Sequence, residues 1–168
     1  VKTLNIEGQY IFVIREYDIQ ENTNELISCL KRIKPNCKIV KTKTLTRGAS
    51  ETCLLAKEFI NNNNPLIITN CDQLMSWDSD KFIDYIKLDH DGIVVTHNSK
   101  DPKNSFIALD NKGFGVELRE KSAISNLALI GLHYWKNGKN FVESAENMIS
   151  NNIKDSGEFY VAPTYNYL

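Results

Sequence analysis

The chain has 168 residues, 42% of them hydrophobic, enough for one buried core and a normal length for one domain. Its 20 basic and 21 acidic side chains leave a net charge of -1, so no field over the whole surface draws in nucleic acid or an anionic membrane, and phosphate-binding charge has to be local. No apolar run approaches the ~18 residues of a membrane span and no secretory signal opens the chain, which points to a cytoplasmic, soluble protein.

Val1 to Ile6 reads as the last turn of a helix whose start lies upstream. Tyr10 to Arg15 (YIFVIR) is a β-rich apolar run predicted to be a buried strand, and Glu25 to Ile33 carries Leu26, Ile27, Leu30 and Ile33 at helical spacing until Pro35 closes the pattern. Cys37 to Val40 predicts a second strand. Ala49 to Ile60 predicts one helix, with Cys53, Leu54, Ala56, Phe59 and Ile60 near one face, before an Asn-rich turn at Asn61 to Asn64. Leu66 to Thr69 is the third strand, Asp80 to Leu88 the next helix and Gly92 to Thr96 the fourth strand. Alternating strands and helices imply right-handed crossovers and a mostly parallel sheet with helices on both faces, which binds ligands at the carboxyl ends of its strands. Ser105 to Asp110, Gly115 to Arg119 and Ala128 to Trp135 then read as strands joined by short turns, an antiparallel addition to that sheet, and a last helix runs from about Asn140 to Ser150.

Three places could carry chemistry. Asp72 lies just past the carboxyl end of the strand within Pro65 to Gln73 (PLIITNCDQ), where one carboxylate suffices for Mg²⁺ because phosphates and waters supply the remaining ligands. On position alone the commoner role for such an Asp is a helix N-cap or a turn. Gly48 precedes a helix, so the backbone of Arg47 to Ser50 could meet an anion or a base edge, although one Gly there is more often a plain turn. Glu120-Lys121 closes a strand with opposite charges, the Glu able to accept sugar hydroxyls and the Lys to meet a phosphate, against a solvated charged turn as the bland reading. His90, His97 and His133 have no metal-ligand spacing and read as surface or structural residues, Trp77 and Trp135 as packing. Cys29, Cys37, Cys53 and Cys71 form no CxxC pair and read as reduced core thiols.

The order of these blocks resembles the sugar nucleotidyltransferases, in particular the glucose-1-phosphate thymidylyltransferase type and its capsule and polysaccharide relatives. The likeness runs through Gly48 to Asn64, Pro65 to Gln73, Asp101-Pro102, Leu118 to Lys121, Ser125 to Leu132 and Gly157 to Val161. It implies a three-layer αβα sandwich of the nucleotide-diphospho-sugar transferase type, with a mixed, mostly parallel sheet lacking its first strand, as a single domain over residues 1–168. It also implies an enzyme that moves a nucleotidyl group from a nucleoside triphosphate to a sugar 1-phosphate, releasing pyrophosphate, for polysaccharide or glycan synthesis. In this likeness Asp72 is a Mg²⁺ ligand, Gly48 lies near the nucleotide base, Lys121 acts on the sugar phosphate, and Gln73, Glu120, Gly131 and Glu158 line the sugar pocket. Nucleic acid and membrane are not expected as partners, and a homo-oligomer is left open.

The sequence departs from the family in four respects. The family's Gly-rich loop with its catalytic Arg lies before Val1 and its second metal ligand beyond Leu168, so these residues alone are expected to be an inactive, truncated piece. Phe106 stands where relatives keep a small residue, and Gln73 replaces an Asn. Two other readings stay open. A glycosyltransferase of the same fold would use a finished nucleotide sugar, but such enzymes carry Asp-x-Asp, whereas Asp72 is followed by Gln73, Leu74 and Met75 and Asp78 is too far on. The other is a non-catalytic nucleotide-sugar-binding domain. The base and the sugar depend on pocket shape and are not legible.

Overall fold

The computed structural model describes residues 6–16, 19–73 and 76–168. The helix-turn reading of Val1 to Ile6 therefore lies outside the described residues except at Ile6. In chain order the elements are β1 (Ile11–Arg15), α1 (Gln20–Ile33), β2 (Lys38–Thr42), α2 (Ala49–Leu54), α3 (Lys57–Ile60), β3 (Leu66–Thr69), α4 (Ser79–Ile86), β4 (Gly92–Asn98), β5 (Ser105–Leu109), β6 (Gly115–Glu120), β7 (Leu127–Trp135) and α5 (Gly138–Ser150). A 3-10 helix, Ala162–Tyr167, closes the chain. The architecture is mixed α/β.

Two of the expected elements differ by more than a one- or two-residue shift at an end. Helix α1 begins five residues before the predicted start, because fully buried Thr23 takes an inward position that an apolar count does not register. The stretch expected as one helix from Ala49 breaks at Leu55-Ala56, where the amides of both donate three residues back, to Thr52 and Cys53. On an unbroken helix Leu54 and Phe59 would stand ~140° apart. With the break, both pack on the cluster around Ile60, Trp135 and Phe141.

The strand pairing corrects the expectation of a mostly parallel sheet. Among the described residues only β1 and β2 pair in parallel; β3 and β4 each pair antiparallel to β7, and β5 pairs antiparallel to both β6 and β7. Strand β7 is antiparallel to its partners, as expected. It is the central strand of a five-stranded sheet, with β4 along one side and β3 and β5 sharing the other. Its sequence, LALIGLHYW, suits that place: a near-continuous apolar run buries both faces of a strand. Alternation along it sends Trp135 toward Phe141, Val142 and Ala145 of α5, and Leu132 and Tyr134 toward Phe82 of α4.

The 3-10 helix straps the sheet. Tyr165 stacks on Trp135 at 4.1 Å and donates its hydroxyl to the Tyr134 carbonyl at 2.9 Å. Asn166 clamps β6 by accepting from the Leu118 amide (2.9 Å) and donating to the Leu118 carbonyl (2.8 Å). His133 is buried and structural, as expected of it, and Trp135 and Trp77 both pack in apolar clusters. All four cysteines are free, and burial pushes the Cys53 thiol up to about 12. Cys71 departs from the core-thiol expectation: it lies exposed past the end of β3.

Candidate functional site

Strand pairing is interrupted along one edge of β7. Strand β3 pairs with Leu132 to Trp135 and β5 with Ala128 alone, so on that side no described strand pairs with the stretch between, while β4 reaches Leu129 from the other side. That stretch is about three residues, roughly 10 Å at the rise of a strand. Gly131 lies within it, with φ +73° and its carbonyl accepting from the Asn70 amide at 3.2 Å. A Cβ there would stand 2.4 Å from Asn70 Nδ2, so the glycine is what admits the Asn70 side chain. Beyond Asn70 the chain carries Asp72 and Gln73, both exposed. The cap reading of Asp72 does not hold. It caps no helix, whereas Asp78 caps α4 by accepting from the amides of Asp80 and Lys81 at 3.1 Å.

The other side of the gap begins at the carboxyl end of β6. Glu120 sits opposite Ser105 in the register, and the Ser105 hydroxyl donates a short hydrogen bond to its carboxylate. The Glu120 amide donates to Asp155 at 3.0 Å. Burial raises the Glu120 carboxyl above the ordinary range; the Ser105 bond and Lys121 oppose that rise, and the charges of Asp155 and Glu158 add to it. Glu120 is therefore a half-buried acceptor. The next residue differs: Lys121 is exposed, holds a left-handed φ of +54° and anchors its amide on the Asn104 carbonyl at 3.0 Å. Its ammonium donates to the Tyr160 hydroxyl at 2.6 Å, a contact that raises the Lys pKa.

Residues 155–160 tie this side to Gly48. Asp155 and Glu158 exchange backbone hydrogen bonds across Ser156 (φ +48°) and Gly157 (φ +89°), the signature of a type I′ turn, with Glu158 exposed. Past the turn, the Phe159 amide donates to the Arg47 carbonyl (3.0 Å), the Phe159 carbonyl accepts from the Ser50 amide (2.9 Å), and the Ser50 hydroxyl donates to the Tyr160 carbonyl (2.7 Å). The close approach expected at Gly48 is thus made by the chain itself, since a Cβ at Gly48 would lie 2.5 Å from the Phe159 backbone. The Ser50 amide at the start of α2 is spent on Phe159 rather than free for an anion. Arg47 is engaged as well, paired with Glu51 at 2.7 and 2.9 Å.

Glu120, Lys121, Glu158 and Gly48 are therefore linked through one segment, while Asp72, Gln73 and Gly131 gather at the end of β3. By strand register the two groups flank the same gap on β7, with Asn70 beside Gly131 on one side and Ser105, opposite Glu120, next to the Phe106–Ala128 pair on the other. Among the described residues no cluster of three or more His, Cys, Asp or Glu could hold a metal. Asp72 has no partner among the described residues, and a single carboxylate fits only an ion that draws its other ligands from phosphate and water.

No protein-family model matches the chain, and no curated protein matches it by sequence. Solved structures do match. A nucleoside-diphosphate-sugar pyrophosphorylase from Vibrio cholerae RC9 superposes with a TM-score of 0.74 at 21% identity, over 95% of this chain and 67% of that one. A UDP-glucose pyrophosphorylase solved with UDP-glucose gives 0.62 at 15% identity, over 94% of this chain and 68% of that one. A Bacillus anthracis protein described as a glucose-1-phosphate thymidylyltransferase, solved with sucrose, gives 0.66 at 16% identity, over 94% and 62%. The fold is that of the sugar nucleotidyltransferases.

Within the sugar nucleotidyltransferase fold the chain spans about two thirds of these neighbours' length. Sequence reasoning missed Asn70, Ser105, Asp155 and Tyr160. The Ser156-Gly157 pair was a usable turn signal that would have brought Asp155 beside Glu158. Tyr160 had none, because its partner stands 39 residues away. No described helix is long and apolar enough to cross a membrane.

Proposed function

We propose that the chain forms the sugar-side and base-side walls of a sugar-1-phosphate nucleotidyltransferase. In this reading a phosphate oxygen of a sugar 1-phosphate attacks the α-phosphorus of a nucleoside triphosphate in line and pyrophosphate departs, giving a nucleotide sugar for polysaccharide or glycan synthesis in the cytoplasm. The observation that carries it is the consecutive pair Glu120 and Lys121 at the end of β6, one a half-buried acceptor and the other an exposed cation, in a fold shared with nucleotide-sugar pyrophosphorylases. Lys121 would hold the sugar phosphate as a point charge. Glu120, Gln73, Gly131 and Glu158 would line the sugar, and Gly48 with the Phe159 backbone would back the base. Asp72 would hold Mg²⁺, which when bound neutralises charge on the phosphates. Catalysis is then positioning and charge neutralisation, with no covalent enzyme intermediate.

The test is pyrophosphate release by the full natural chain, given each nucleoside triphosphate with glucose 1-phosphate and other sugar 1-phosphates. Release dependent on Mg²⁺ supports the reading, and no release with any pairing sinks it. Asp72→Ala should lower turnover at least ~100-fold. Its melting temperature should stay within about 1 °C of the parent, since an exposed carboxylate contributes little to stability.

We also propose that the two sheets belong to one three-layer sandwich, with a strand from outside these 168 residues between β1 and β3. Support comes from the core: Ile11 of β1 packs on the same cluster as Leu66 and Ile68 of β3, although β1 pairs with β2 and β3 with β7. Hydrogen exchange of the full natural chain should show both sets of β1 and β3 amides protected. Free exchange of the amides facing away from β2 and β7 would refute the inserted strand.

A further inference from the structure

We infer that Tyr160 is a positioning residue that presents the Lys121 ammonium to the phosphate of the sugar substrate and ties it to the Gly48 loop. The inference rests on the proposed function and extends it to a residue for which neither the motifs nor the fold assigns a role.

Tyr160 touches Lys121 and the Gly48 loop at once. Its backbone carbonyl accepts from the hydroxyl of Ser50, a side chain with no solvent exposure, so the main chain of Tyr160 is pinned to the Gly48 loop. Its phenol accepts from Lys121 Nζ at 2.6 Å, and the ammonium also lies 5.0 Å from the ring centroid. A free lysine side chain samples many rotamers and loses that freedom on binding an anion. Lys121 has it restrained in advance, at the root by a left-handed backbone anchored on Asn104 and at the tip by Tyr160. An ammonium has three protons. One goes to Tyr160, and two remain for phosphate oxygens. Because Tyr160 is held by Ser50, any movement of the Gly48 loop is passed to the tip of Lys121.

A double-mutant cycle on the full natural chain tests this, with Tyr160→Phe, Lys121→Met and the double variant. Binding of glucose 1-phosphate and of inorganic phosphate is followed by the NMR signal of the Lys121 ammonium where it is present and by calorimetry throughout. Tyr160→Phe keeps the ring and the Ser50 bond, so it should fold as the parent does and bind glucose 1-phosphate about ten-fold more weakly, while nucleoside triphosphate affinity is unchanged. The double variant should bind no worse than Lys121→Met, because Tyr160 acts only through Lys121. Parent-like binding by Tyr160→Phe overturns the inference and leaves the proposed function standing. So do losses that multiply in the double variant, which would mark Tyr160 as a general structural support. If neither probe binds the parent or shifts its Lys121 signal, the proposed function fails and the inference falls with it.

Discussion

Replacing Gly48 with alanine is expected to destabilise the protein by about 3 kcal/mol or more, among the largest losses for adding a single methyl group. Two costs coincide at this position. Gly48 holds φ 145° and ψ 174°, a region nearly closed to residues with a side chain. The added carbon would also lie 2.5 Å from both the amide nitrogen and the carbonyl oxygen of Phe159, atoms already bonded to Arg47 and Ser50. Relief by moving residues 155–160 breaks those two bonds and carries Tyr160 away from Lys121. Gly157→Ala is the control: φ is +89° there and no atom stands within 4 Å of the added carbon, so only the backbone strain of ~1 kcal/mol remains. Urea unfolding of the two variants separates the terms, and equal losses would show that the Phe159 contact does not exist in solution.

Acidification provides the second large effect. His133 is buried on β7, stacks on Tyr165 at 5.9 Å, and its Nδ1 has no hydrogen-bond partner among the described residues. Burial, unopposed by any nearby charge, pushes its pKa down from 6.5 to about 4. The unfolded chain therefore binds the proton that the folded one refuses. Stability from this group is fully present above pH ~6.5 and is lost as the pH falls toward 4, by about 3 kcal/mol over that interval. Other groups titrate in the same range, among them Glu120, whose raised pKa acts in the opposite direction. A comparison with His133→Leu isolates the histidine. The parent should lose about 3 kcal/mol more than the variant between pH 7 and pH 4 in denaturant unfolding, and parallel pH curves would place His133 in contact with water. At neutral pH the leucine also removes an orphaned buried polar atom and should cost little.

Much of the local structure was legible because it depends on neighbours in sequence. The apolar runs of β1, β3 and β4 and the turn at residues 110–113 were bounded by Gly, Pro, Asn and Asp, and they appear within two residues of their expected limits. The break between α2 and α3 was not legible, since helical periodicity continues through Leu55 and only packing against Trp135 and Phe141 rewards the kink. The place of β7 was hidden for a similar reason. An apolar run announces a buried strand, but nothing in it says which strands lie on either side.

The candidate site divides along the same line. Glu120-Lys121 could be noticed as a charged pair closing a strand, and Asp72 as a carboxylate past a strand end, from composition and order alone. The half-burial of Glu120, the absence of any cap made by Asp72 and the bond from Lys121 to Tyr160 could not. Sequence by itself determined the segments, their α/β type and the residue types able to meet phosphate and sugar hydroxyls. Tertiary structure alone decided that β7 runs between β3 and β4, that Gly48 backs onto Phe159 and that Tyr160 joins Lys121 to the Gly48 loop. The reason is physical: periodicity encodes which face of a segment avoids water, whereas contacts such as Ser50 with Tyr160, 110 residues apart, are set by backbone pairing and the space the folded core leaves.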